Sequence, residues 1–248
     1  MTDRTSRRWF LGMATGAAGG LAVAGQWPIG KLSATETSGS LGDFEAHVRS
    51  ASGQSALVIP DPPAGRPAEA TEDNILGPYF REGAPYRGKV TPPLEPGQPL
   101  VVFGRVLGLD TARPPQRTVI HVWQANADGR YDNDDPEHPP AKGVFINRAR
   151  IGIDETGYYE YETIHPGRYR TGPTSMRPAH IHYHVEAAGY ESLTTQMYFE
   201  GDPENAKDPW VKPSLIVKQQ ILETPRGNVE VAEFNIVLRP LAGLDRTR

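Results

Sequence analysis

The chain of 248 residues carries 26 basic and 30 acidic residues, a formal net charge of -4, and no cysteine. That length suits one domain with a full core plus an extension, and the mild acidity excludes nucleic acid and anionic membrane surfaces as partners. The absence of thiols excludes disulfides and thiolate metal sites, so any metal must be held by nitrogen and oxygen.

The first residues read Ser6-Arg7-Arg8-Trp9-Phe10-Leu11 and run on, uncharged and rich in Gly and Ala, to Gly30. Twin arginines before a weakly apolar stretch resemble a bacterial Tat export signal over residues 1–24, with cleavage after Ala24 in Ala22-Val23-Ala24. The expectation is an exported protein, periplasmic or extracellular. A retained signal anchor is the one membrane attachment the sequence offers, and six glycines from Gly12 to Gly30 weaken it as a span. Residues 25–73 read as a linker or N-terminal extension, with a short helix expected over 41–51 and an extended, proline-bearing stretch at 60–67.

Glycine (26) and proline (24) make up about a fifth of the chain, which favours a mostly β, turn-rich protein over a helical bundle. The run Ile75-Leu76-Gly77-Pro78-Tyr79-Phe80 predicts a fixed turn leaning on a core. Strands are predicted over 100–107, 118–125, 157–164, 180–187, 193–199, 214–222 and 229–238, each rich in β-branched and aromatic residues or alternating in polarity. They are short, bounded by turn residues and not joined by long helices. An antiparallel β-sandwich with few short helices is therefore expected across 74–240, with a polar tail at 241–248. The charged stretch 126–149 is predicted as a long functional loop.

The strand around 180–187 is unusual. In Arg177-Pro178-Ala179-His180-Ile181-His182-Tyr183-His184 the three histidines alternate, so a strand puts them on one face. Imidazoles bury poorly without partners, because each neutral ring carries a donor and an acceptor. The other four histidines have plainer readings: His47 and His138 are solvated, His121 is a hydrogen-bonded core residue beside Trp123, and His165 is a turn residue. Of ten tyrosines, Tyr158, Tyr159 and Tyr161 belong to an ordinary alternating strand. Tyr131 and Tyr169 differ, since each ends a Gly-Arg-Tyr triplet at a turn, where a side chain projects into a site. A phenol titrates near 10 in water and binds metal as phenolate, a deprotonation that a hard trivalent cation enforces. Two tyrosinates would select Fe(III) over Zn or Fe(II).

Four segments together resemble the intradiol ring-cleavage dioxygenases, the protocatechuate 3,4-dioxygenase and catechol 1,2-dioxygenase group. They are Val122-Trp123-Gln124-Ala125-Asn126-Ala127-Asp128-Gly129-Arg130-Tyr131, Thr163-Ile164-His165-Pro166-Gly167-Arg168-Tyr169, Arg177-Pro178-Ala179-His180-Ile181-His182, and Thr195-Gln196-Met197-Tyr198-Phe199-Glu200-Gly201-Asp202-Pro203. Their order and spacing match across roughly 74–238, and the short N-terminal part favours the protocatechuate type. The resemblance implies one non-heme Fe(III) per chain, held by Tyr131, Tyr169, His180 and His182, with Tyr169 opposite His180. It places Arg177 and Gln196 beside the substrate and Gly77 and Pro78 at the pocket wall. His184 is not among the family's ligands and is read as a neighbouring strand residue. The implied substrates are a small aromatic diol and O2, the product a muconate-type diacid, and homo-oligomers are a family tendency. In the family mechanism the diol displaces hydroxide and the axial tyrosinate, which take its two protons. The arginine stabilises the electron-rich ring.

Two other classes compete. A cupin-like barrel would use His180, His182, His184 and a carboxylate, with no need of Tyr131 or Tyr169. A secreted, non-catalytic β-sandwich binding module would need no metal.

Overall fold

The computed structural model describes residues 67–243 except 174, 225 and 226. The expected Tat-type signal, most of the expected linker, including the helix expected over 41–51 and His47, and most of the expected polar tail lie outside the described residues. Among the described residues twelve strands follow in chain order: β1 (Pro99–Gly108), β2 (Val119–Gln124), β3 (Arg148–Gly152), β4 (Tyr158–Ile164), β5 (Tyr169–Arg170), β6 (Met176–Arg177), β7 (His180–Glu186), β8 (Leu193–Phe199), β9 (Ile216–Val217), β10 (Gln219–Thr224), β11 (Gly227–Glu233) and β12 (Ile236–Leu238).

They form a β-sandwich. One five-stranded sheet runs β10-β11-β1-β12 with β4 on the other edge of β1, and the second runs β3-β2-β7-β8-β9; β5 and β6 make a small separate ribbon. Alternation along each strand explains the core between the sheets. Leu100 and Val102 of β1, Tyr159 and Tyr161 of β4, Ile120 and Val122 of β2, Ile181, Tyr183 and Val185 of β7, and Met197 of β8 are all buried in one cluster. Burying one such side chain contributes on the order of 1.5–3 kcal/mol. The two tyrosine hydroxyls that meet in this core, Tyr161 and Tyr183, hydrogen-bond to each other, and Tyr159 donates to the carbonyl of Phe234.

Four features depart from the sequence expectation. The sheets are mixed, because β1 pairs in parallel with both β11 and β12, and β8 pairs in parallel with β9. Strand β3 emerges from the end of the expected long loop, its arginines tied to distant partners described below. The expected strand over 214–222 is broken: Pro213 opens a 3-10 turn, Pro213–Leu215, and the chain then makes β9 and β10.

The expected strand over 229–238 also divides, at Phe234 and Asn235. The register against β1 nevertheless continues across the break, Phe103 facing Glu233 and Val106 facing Ile236. At the break the Asn235 side chain accepts the Arg105 N–H at 2.9 Å, and the Phe234 carbonyl lies so close to Gly104 that a Cβ there would sit 2.1 Å from it. Gly104→Ala is expected to force β1 off β12 and to cost about 1–3 kcal/mol in thermal or denaturant unfolding. Gly152→Ala, where a Cβ would meet nothing within 4 Å, is the neutral control.

Candidate metal centre

The site lies on the outer face of the second sheet, not between the sheets. In β7 the odd positions fill the core, so His180, His182 and His184 face outward. Across the register His182 lies opposite Trp123 of β2 and Gln196 of β8, and His180 opposite Tyr198. His180 and His182 are 2% and 1% exposed, because loops cover this end of the face. Their Nε2 atoms approach to 3.1 Å. His184 turns elsewhere: its Nδ1 meets Thr194 Oγ1 at 2.9 Å, and its ring packs on Phe80 and His121. His121 is not the core histidine expected; it shares this outer face, and its Nε2 lies 3.3 Å from Glu186 Oε2.

The two Gly-Arg-Tyr loops meet backbone to backbone. Asn126 organises the first: its side-chain oxygen accepts the N–H groups of Asp128 and Arg130, and its carbonyl accepts those of Gly129 and Gly167. Gly129 has φ +77°, and a Cβ there would lie 2.1 Å from the Arg168 carbonyl oxygen; a Cβ on Gly167 would lie 2.2 Å from that of Ala127. Both triplets therefore need glycine for close approach, and the first also for its left-handed turn at Gly129. This contact delivers the two phenols together. The Tyr131 hydroxyl is 3.4 Å from His180 Nε2, and the Tyr169 ring is 5.5 Å from the Tyr131 ring and 5.6 Å from that of His180. Tyr169 also pairs with Arg177 across the β5–β6 ribbon, which sets Arg177 beside the histidines.

The donor set fits a metal. The His180 Nδ1 donates to the Pro178 carbonyl at 2.7 Å, leaving its Nε2 lone pair facing His182. Whichever nitrogen of His182 holds the proton, one ring nitrogen is left unsatisfied, since its buried Nδ1 has no partner among the described residues. Two nitrogens about 2.1 Å from one ion at a right angle would stand about 3 Å apart, close to the spacing seen. Burial, and then the Arg177 charge, lower the His180 pKa to about 3; burial, then His180 and Arg177, hold His182 well below its usual value. Both rings are thus neutral and able to ligate at physiological pH. Burial pushes Tyr131 well above the ordinary phenol value, with Tyr169 adding to it, so only a strongly charged ion would take its proton. A cupin-like set would also use His184, whose Nδ1 is engaged by Thr194 Oγ1 and whose ring packs on Phe80 and His121.

A dioxygenase family model, Dioxygenase_C, matches residues 75–240. The protocatechuate 3,4-dioxygenase beta chain of Burkholderia cepacia is 38% identical over 184 residues, covering 70% of this chain and 76% of that one. A chlorocatechol 1,2-dioxygenase of Rhodococcus opacus is 35% identical, covering 68% and 72%. The crystal structure of 3-chlorocatechol 1,2-dioxygenase from Rhodococcus opacus 1CP superposes with a TM-score of 0.63 at 28% identity, covering 69% of this chain and 74% of that one. The chain belongs to the intradiol dioxygenase family. It is an enzyme that cleaves an aromatic ring between adjacent hydroxyls, in a family that uses non-heme iron.

The remaining residues of this dioxygenase site fall into place around the histidines. Arg177 is 2% exposed. Its Nη2 donates to Gln196 Oε1 and to the Tyr198 hydroxyl, both at 2.9 Å, while Nη1 lies 3.5 Å from His180 Nε2. Burial opposes its charge, but the Asp208 hydrogen bond and nearby phenols outweigh burial and raise its pKa. Gln196 Nε2 is taken up by the Ile75 carbonyl at 2.7 Å, so both ends of that amide are committed. Gly77, at φ +73°, lies against His182, where a Cβ would come within 3.2 Å of the ring; Pro78 beside it is exposed. Sequence reasoning did not single out Tyr79, which stacks on Tyr131 at 4.2 Å, or Trp123 as the ring stacked on His182 at 4.7 Å. Nor did it find Arg148, which bonds Asp132, the neighbour of Tyr131, and the Tyr79 carbonyl. Of these, the aromatic pair after Gly77-Pro78 was the one visible signal.

Because the glycine contact sets the tyrosine spacing, Gly129→Ala is expected to cost about 1–3 kcal/mol through φ strain and overlap. Its iron content after loading is expected to fall relative to wild type, which metal analysis of the folded variant checks.

Proposed function

We propose that Tyr131, Tyr169, His180 and His182 hold one Fe(III) per chain, and that the enzyme cleaves a single-ring catechol-type diol with O2 to a muconate-type diacid. The observation that carries this reading is the buried pair of imidazole nitrogens 3.1 Å apart with two glycine-locked tyrosines closing on them. Bound Fe(III) would supply the electron-withdrawing centre at which a chelated catecholate ring carbon reacts with O2.

The chain's own residues then have separable roles. Tyr169 is only half-buried and lines an open cleft of ≈ 330 Å³ with Tyr79, Arg168, Arg170 and Met176, so its phenolate oxygen is the one a diol reaches first. There it accepts a proton from a substrate hydroxyl. Tyr131, buried and stacked under Tyr79, and His182, stacked under Trp123, stay in place. The uncommitted Arg177 Nη1 hydrogens lie beside His180, Nη1 being 3.5 Å from its Nε2, and stabilise negative charge on the diol oxygens and ring. Gln196 acts through Arg177, since its amide oxygen is the acceptor that orients Nη2. The names of the relatives, protocatechuate and chlorocatechol dioxygenases, support a ring bearing two adjacent hydroxyls.

The test is a panel of catechol, protocatechuate, hydroxyquinol and substituted catechols, read by oxygen uptake and product mass. One diol is expected to gain two oxygen atoms in an open-chain diacid. A product opened outside the two hydroxyls contradicts the reading. Tyr131→Phe and His182→Ala are expected to lose iron or its visible absorbance, and wild-type turnover in either removes that residue from the ligand set.

A further inference from the structure

The loop that follows β8 reaches the site at three points. Asp202 accepts the Ala179 N–H at 3.0 Å, next to His180, and takes Arg168 in a two-oxygen contact at 3.0 Å, next to Tyr169. Asp208 accepts the Arg177 Nε–H at 2.7 Å through one carboxylate oxygen, with both side chains almost wholly buried, 3% and 2% exposed. The other Asp208 oxygen accepts the Trp210 backbone N–H at 2.8 Å. The Trp210 indole lies over the same guanidinium, 4.8 Å from its carbon, and its carbonyl is held by the Asn74 amide at 2.7 Å.

A guanidinium has five N–H donors in a rigid plane. In Arg177, Nε is committed to Asp208, and Nη2 to Gln196 and Tyr198. The two Nη1 hydrogens remain, and Nη1 lies 3.5 Å from His180 Nε2. Gln196 and Tyr198 are neutral acceptors on one corner of the fork. Asp208 is the anionic partner and takes the Nε–H, leaving both Nη1 hydrogens to other partners. It therefore fixes the plane without competing for the free edge. All three bonds are charge-assisted by the guanidinium, but Asp208 alone among these partners also carries a negative charge, so its bond holds the orientation most strongly.

We propose that Asp208 is a positioning residue for the reaction: its buried carboxylate holds Arg177 with Nη1 turned to the diol and holds Trp210 as a cover over the guanidinium. The proposal rests on the catalytic role given to Arg177 above. Asp208 touches neither the diol nor the metal ligands in this account.

The test is a double-mutant cycle on the iron-loaded full-length enzyme, measured as oxygen uptake with the best-used diol of the panel, alongside iron content and visible absorbance. Asp208→Asn is expected to keep iron and its absorbance, to lower kcat about ten- to hundredfold, and to change KM by less than about threefold. Asp208→Glu keeps the buried charge but moves the carboxylate by a methylene, and its kcat is expected to fall between wild type and Asp208→Asn. It carries the test alone where Asp208→Asn leaves the guanidinium uncompensated and the chain unfolded. In an Arg177→Ala background, the Asp208 change is expected to cost no more than about twofold further, because its effect runs through the guanidinium. Wild-type kcat in the Asp208 variants, or the full Asp208 loss reappearing in the double variant, overturns the proposal. Wild-type turnover from Arg177→Ala alone overturns the role of Arg177 instead.

Discussion

The two-residue period of β7 is the constraint on which the rest of the site depends. Ile181, Tyr183 and Val185 fill the core between the sheets, and this obliges His180 and His182 to face the other way. A one-residue slip would exchange the two sets, burying imidazoles among Ile120, Val122 and Met197 and exposing the apolar residues. Hydrophobic burial on one face thus fixes the placement of the proposed ligands His180 and His182 on the other. The same strand cannot be tuned for one purpose without the other responding.

The outer face alone would be an exposed histidine ladder, and loops turn it into a site. The Asn126 turn and the Gly167 turn interlock at glycine, bringing Tyr131 and Tyr169 to the histidine pair. Segment 74–80 lays Gly77 against His182 and the Tyr79 ring on Tyr131. The loop after β8 holds Arg168, Arg177 and the backbone beside His180. Burial by these loops keeps both imidazoles neutral and the Tyr131 phenol protonated until a cation arrives. On the proposed ligand set, the preference for a highly charged cation would rest on desolvation as well as on donor type.

Much of this was legible in the sequence where a local period or a local turn carried it. Alternation and β-branching marked β1, β2, β4, β7 and β8, and the Gly-Arg-Tyr triplets marked the two tyrosine turns. What was hidden depended on partners far along the chain. Strand β3 begins with Arg148 and Arg150, which look like loop residues until Asp132, Asn133 and the Ala84 carbonyl meet them. The parallel pairing of β1 with β11 joins residues 130 positions apart, and no local pattern encodes it. Asp208 sits between Lys207 and Pro209 in a polar stretch, indistinguishable from a solvated acid until Arg177 is seen to close on it. His121 looked like a core residue because its neighbours in sequence are apolar, yet alternation puts it on the same face as the site.

The central claim is that two tyrosines and two histidines share one Fe(III). Resonance Raman spectroscopy of the purified, iron-loaded protein, excited within its visible band, tests it most directly. The account predicts enhanced tyrosinate ring vibrations from an ion present at one per chain, arising from two distinct tyrosines and reduced to one in Tyr169→Phe. A folded protein holding one iron per chain with no tyrosinate vibrations would contradict it.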